Sequence, residues 1–237
     1  MARPQDVTSV RRDRIGPLEL LGSIRRHPAG LLLAAQLLGV LSYPLMEDTD
    51  AGRAALGAFG IVALSLVLWV VNRSPTVNWI AWVLAGTSIV LTVVSHAQDS
   101  PQLLALAHLL DAVLYFYAAV GLIFYMLDDA RVTTDELIAA GATFTLLVWA
   151  FAYALSVCQA WYPGSLSGVG DAAAPRSWIE LLYLSFALVS GVGLSDIVPV
   201  TAPARALGML AMFTGVMYIA IVVSRLIALT VIRQQGK

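Results

Sequence analysis

The sequence predicts an all-α membrane protein of six transmembrane helices plus one re-entrant helix and loop, on three observations. The first is composition: 59% of the 237 residues are hydrophobic and 12% charged. Mean hydropathy is +0.81. A chain this apolar is not a soluble globular protein. The second is that the apolar residues gather into runs of membrane-crossing length separated by short polar links. The third is the stretch Ser177–Asp196, which begins like a membrane helix, stops halfway and turns back.

Taken in order, residues 1–29 are polar and rich in arginine (Arg3, Arg11, Arg12, Arg14, Arg25, Arg26), so they form a cytoplasmic basic segment and not a span. Pro17 can open a short interfacial helix carrying Leu18 and Leu21; the alternative is a flexible tail held near anionic headgroups. No small-residue cleavage motif follows the first apolar run, which predicts a retained helix and not a signal peptide. Spans are expected at Gly30–Met46, Ala54–Val71, Val77–Ser95 and Leu103–Leu127, and with their linker they make a four-helix module over 30–136. After the acidic link, Thr134 or Asp135 suits the N-cap of a fifth span at Leu137–Trp161. Tyr162–Arg176, rich in Gly, Ser, Ala and Pro, reads as an exposed loop, and a sixth span covers Ala202–Val231. Residues 137–237 thus form the second unit.

Between the last two spans, Trp178–Val189 supplies 12 residues, or about 18 Å of helix, against a hydrocarbon core about 30 Å thick. The chain must therefore return. Its turn, Ser190-Gly191-Val192-Gly193-Leu194-Ser195-Asp196, is non-helical backbone at membrane depth, which survives only where protein buries it or a watery cavity receives it.

The run Val192-Gly193-Leu194-Ser195-Asp196-Ile197-Val198-Pro199-Val200-Thr201, continuing Ala204-Arg205-Ala206-Leu207, resembles the filter and following helix of tetrameric potassium channels, which read T-V-G-Y-G-D-I-x-P. The likeness extends over Ser177–Leu229. It implies a homotetrameric pore of the six-span voltage-gated type, because one loop cannot surround an ion, with potassium or sodium held by loop carbonyls. By position the filter is Gly191, Val192, Gly193, Leu194 and Ser195, with Ser190 just inside it and Asp196 at the outer mouth. Three positions depart from the pattern. Gly191 replaces a threonine and has no side-chain oxygen. Leu194 replaces a tyrosine and cannot donate the bracing hydrogen bond. Ser195 replaces a glycine and would cost about 1–2 kcal/mol if its backbone were left-handed.

With the N-terminus inside, eleven of the fourteen Lys and Arg residues fall on inner faces and only Arg53, Arg176 and Arg205 outside. This obeys the positive-inside rule and puts both termini in the cytoplasm of a cell-membrane protein. The fourth span, Leu103–Leu127, contains no Lys or Arg, so a membrane field has almost nothing to pull and strong voltage gating is not expected. Asp111 lies well inside that span with His108 one turn earlier, a candidate proton-sensitive pair whose plainer reading is a satisfied packing contact. Glu180 is placed to pair with Arg176 in support of the half-helix. Trp178 and Tyr183 resemble the aromatics packed around a channel filter, or else serve as interfacial anchors. Gly215 is a candidate hinge, and Gly208 and Gly215 equally suit close helix contact.

Cys158 is alone, His27, His96 and His108 are scattered, and no nucleophile–base constellation, phosphate loop or metal cluster is legible. The expectation is therefore a passive, potassium-conducting cation channel and not an enzyme. It needs no cofactor beyond its permeant ions. Its partners are membrane lipids and three further copies, with no nucleic acid and no soluble ligand domain. The alternatives are a poorly selective sodium/potassium channel or a non-conducting relative with a decayed filter.

Overall fold

The computed structural model describes residues 28–46, 62–63, 65–67, 69, 78–128, 134–168, 174–225, 227–228 and 231. The basic segment lies outside these except for Pro28 and Ala29. Of the expected span Ala54–Val71 only six residues are described, all helical, and the middle of the loop after Trp161 and the last six residues also fall outside.

Helix α1 runs Pro28–Met46, α2 Asn78–Ala97, α3 Pro101–Asp128 and α4 Thr134–Trp161. Among the described residues, four helices are long and apolar enough to cross a membrane: Trp79–Ala97, Pro101–Leu127, Glu136–Trp161 and Ala202–Val223. The chain is thus a multi-pass membrane protein. Between α2 and α3 the chain turns in three residues. Asp99 takes a left-handed φ of 46° and the Ser100 N–H reaches back to the Ser95 carbonyl at 3.0 Å, the six-to-one bond of a Schellman stop. Pro101 then opens α3, where a missing N–H costs nothing.

The fold is centred on α4, which packs against α1, α3 and the two helices that follow it, Trp178–Val189 and Ala202–Tyr218. Its core face includes Leu146, Val148, Ala150, Ala152 and Leu155, all buried. Two threonines within this apolar helix are satisfied, one locally and one also across a helix contact. Thr143 donates to the Ala139 carbonyl at 2.8 Å. Thr145 donates to Oε1 of the fully buried Gln36 at 2.6 Å, tying α1 to α4. An edge-to-face contact between Phe116 and Phe151, centroids 4.9 Å apart, locks α3 to α4.

Beyond α4, a two-residue strand β1 (Leu166–Ser167) precedes helix α5 (Trp178–Val189). Strand β2 (Val198–Pro199) and helix α6 (Ala202–Tyr218) follow, and α6 continues into a π-helical turn at Ile219–Val223. β1 and β2 pair antiparallel, Leu166 opposite Pro199 and Ser167 opposite Val198. At the end of α6 remote from β2, the Tyr218 hydroxyl donates to the Ala140 carbonyl at 2.6 Å. The Arg225 guanidinium donates to the Met126 carbonyl at 3.0 Å. These two bonds fasten the far end of α6 to α4 and α3.

Candidate functional site

Helix α5 is a half-span, and both of its ends are fixed by its own sequence. Ser177, with extended backbone (φ −66°, ψ 163°), is its N-cap. Glu180 reaches back to accept from the Ser177 N–H at 2.6 Å, as the pattern S-x-x-E provides. Arg176 lies before the cap, so the helical spacing that suggested an Arg176–Glu180 pair does not apply to it. The apolar face of α5 is buried, and within it Ser185 donates to the Val148 carbonyl of α4 at 2.6 Å.

Gly191 ends the helix. It has φ +73° and its N–H bonds the Leu188 carbonyl at 3.1 Å, the placement of a C-terminal capping glycine. The next turn departs from the usual stop. The Ala187 carbonyl is taken by the Gly193 N–H at 2.9 Å, one residue later than a Schellman motif would use. Gly193 also has a left-handed backbone, φ +69°, which costs glycine almost nothing.

These bonds fix where the loop carbonyls point. Every peptide bond in the described chain is trans, so a carbonyl points opposite to the N–H of the following residue. The Gly191 and Gly193 N–H groups face the end of α5. The Ser190 and Val192 carbonyls therefore face away from it. The Val192 N–H is directed to the Ser190 hydroxyl at 3.4 Å, which turns the Gly191 carbonyl away from that side chain as well. Gly191, Val192, Gly193 and Leu194 are all exposed on the surface of the single chain. Three successive carbonyls on an exposed loop at the end of a buried half-helix are chemically suited to replace the water around a small cation.

The outer arm is built differently. Among the described residues only Asp99 combines a side chain with a positive φ, so Ser195 is not left-handed and carries no such strain. Its hydroxyl instead accepts from the Ile197 N–H at 3.1 Å. Leu194, Ser195 and Asp196 face Ile179, Glu180 and Tyr183 of α5 across an open groove. Tyr183 thus stands beside the outer arm. Trp178 does not: its ring lies among Trp149, Tyr153 and His108, at centroid distances of 5.7, 4.4 and 6.2 Å.

Asp111 and His108 turn to different helices. The Asp111 carboxylate accepts from Ser88 of α2, whereas His108 Nδ1 pairs with the Ser156 hydroxyl of α4 at 2.8 Å. Their shared helical face does not make them partners. Gly215 presses on the last turn of α5. A Cβ there would lie 2.7 Å from the Val189 carbonyl carbon and closer still to its oxygen. The structure gives Gly215 a packing role, and the departure from α geometry comes four residues later, at Ile219. Gly208 is less confined, with Pro199 Cγ at 3.5 Å from such an atom.

Sequence reasoning missed Gln159, which accepts from the Arg176 N–H at 2.9 Å and donates to the Arg176 carbonyl at 3.1 Å. The available signal was an amide in an otherwise apolar helix end. It also missed Gly168, against which Arg176 and Ile197 both pack. Among the described residues no group of three His, Cys, Asp or Glu side chains converges as a metal site.

A short apolar helix, an exposed carbonyl loop and a following long helix thus succeed one another between α4 and the described C-terminal residues. Residues 141–231, which hold most of α4, all of α5, the loop and α6, match the family model described as an ion channel. This match supports a passive ion channel. Comparison with curated proteins and with solved structures returned no match.

Proposed function

We propose that this chain is a passive cation channel that conducts potassium and assembles as a homotetramer, with Ser190–Asp196 lining the ion path. The observation that carries the reading is the outward turn of the Ser190, Gly191 and Val192 carbonyls. Four such loops around an axis would supply rings of oxygen, and the C-terminal end of α5 would add partial negative charge favourable to cations. Asp196 stands at the outer mouth. Because α3 contains no Lys or Arg, conductance is expected to depend only weakly on voltage.

A second reading, a poorly selective sodium/potassium channel, is favoured by the outer arm. Leu194 brings no hydroxyl, and the backbone at Ser195 is not left-handed, as a glycine there could be. Ion flux into liposomes holding the full chain separates the two readings, with potassium, sodium and N-methylglucamine gradients compared. Potassium flux above sodium flux, with N-methylglucamine excluded, is expected of the first. Equal potassium and sodium flux that becomes potassium-preferring in Leu194→Tyr/Ser195→Gly supports the second. Tetrameric protein that passes none of the three ions would move the assignment to a non-conducting relative. Monomeric protein after cross-linking in membranes would sink the pore altogether.

A further inference from the structure

The outer arm, Leu194–Val200, has no hydroxyl at position 194 to hold it, yet it is not loose. Ile197 at its centre is 1% exposed. The Val200 N–H bonds the Ser165 carbonyl at 2.9 Å, and β2 is laddered to β1. Arg205 Nε, from the first turn of α6, donates to the Pro199 carbonyl at 3.3 Å. All but the last of these partners come from the segment that leaves α4.

We propose that Gln159 in the last turn of α4 and Gly168 just past β1 brace the outer filter arm, as positioning residues that set ion preference from a distance. The inference rests on the reading of Ser190–Asp196 as an ion path. Gln159 offers one acceptor and one donor to the main chain of Arg176, at 2.9 and 3.1 Å, and so fixes the strand of chain that enters α5. The Arg176 guanidinium then lies under Gly168. A Cβ on Gly168 would sit 3.1 Å from Arg176 Nη1 and 3.2 Å from Ile197 Cγ1. Gly168 therefore leaves just enough room for a buried guanidinium and a buried isoleucine to share one surface. Ile197 passes that position to Ser195 through the bond from its N–H to the Ser195 hydroxyl. A side chain at 168, or loss of the amide at 159, displaces Ile197 and with it the upper carbonyls of the loop.

The test uses the full tetrameric chain with Gln159→Leu and Gly168→Val, and with Tyr162→Ala as a control in the same segment. Two readouts are taken: amide hydrogen exchange of the peptide covering 194–200, and the potassium-to-sodium permeability ratio. Exchange of that peptide is expected to quicken about tenfold in both variants, as when a protecting contact is lost. The permeability ratio is expected to shift in the same two variants, and neither quantity in Tyr162→Ala. Unchanged exchange, or quickened exchange with an unmoved ratio, overturns the proposal. If Gln159→Leu does not assemble, Gln159→Glu, which keeps the acceptor and drops the donor, is read by the same criteria. If the unmodified chain does not conduct, the ion-path reading falls by itself. Faster exchange in the variants would then uphold the brace, and unchanged exchange would end it too.

Discussion

The two arms of the loop between α5 and α6 are held by opposite means. The inner arm, Ser190–Gly193, is fixed from within by backbone bonds to the last turn of α5 and by two left-handed glycines. The outer arm, Leu194–Val200, is fixed from outside by side chains and strand pairs that lie up to about forty residues earlier in the chain. The contrast teaches where each arm is vulnerable. Local substitutions should break the inner arm, and distant ones should retune the outer.

The largest effect is expected at Gly215, which supports the inner arm from behind. Gly215→Ala drives a methyl into the Val189 main chain, and with backbone unable to yield as a side chain would, destabilisation at the upper end of the overpacking range, about 3 kcal/mol, is expected. A melting curve in detergent that matches the unmodified protein would show that α6 and α5 can separate freely, and would return Gly215 to a hinge role. Next come Gly193→Ala and Gly191→Thr. Each forces a side chain onto a positive φ at a cost of about 1–2 kcal/mol per chain, and each should abolish or strongly reduce flux. The second is the sharper, because the channel pattern has threonine at that position. If Gly191→Thr conducts and melts normally, the α5 stop has an alternative conformation and the two arms are less distinct than described.

A smaller loss is expected of Glu180→Ala, which removes the acceptor from the Ser177 N–H and should lower stability by about 0.5–1 kcal/mol with ion preference unchanged. A shift in preference without loss of stability would place Glu180 on the ion path across the groove it shares with Asp196. Smallest is Ser88→Ala. Transmembrane hydrogen bonds average about 0.6 kcal/mol, so loss of the Ser88–Asp111 contact should be barely visible in melting and silent in flux. A large change in flux with pH in this variant would instead make Asp111 a sensor.

Much of the fold was legible because it rests on short-range rules. Length alone makes Trp178–Val189 a half-span, and Ser177 with Glu180 announces its start. Runs of apolar residues place α2, α3 and α4 to within a few positions and the start of α6 at Ala202, whereas the expected end at Val231 lies beyond the continuous apolar helix, which closes at Val223. The site was legible only in part. Position 191 reads as a missing threonine when set beside the channel pattern, whereas its backbone makes it the glycine that stops a helix. Gly215 is one small residue in an apolar run, and such a residue looks the same whether it bends a helix or admits a neighbour. The partners of the outer arm were hidden by distance along the chain. Gln159 and Arg176 are 17 residues apart, and two strands of two residues carry no alternation to read.

Trp178 has a consequence for the autonomy of the channel-like half. The first residue of α5 is seated against His108 of α3 as well as Trp149 and Tyr153 of α4, and Tyr115 of α3 stacks on Trp149 at 6.0 Å. The seam between the N-terminal helices and the rest is thus closed by five rings drawn from both sides. A chain cut down to 134–237 would turn that aromatic wall toward lipid and leave Ser156 without its histidine. The region that matches the ion-channel family, residues 141–231, is consequently no detachable cassette. Its half-helix takes its bearing from a helix outside the matched region.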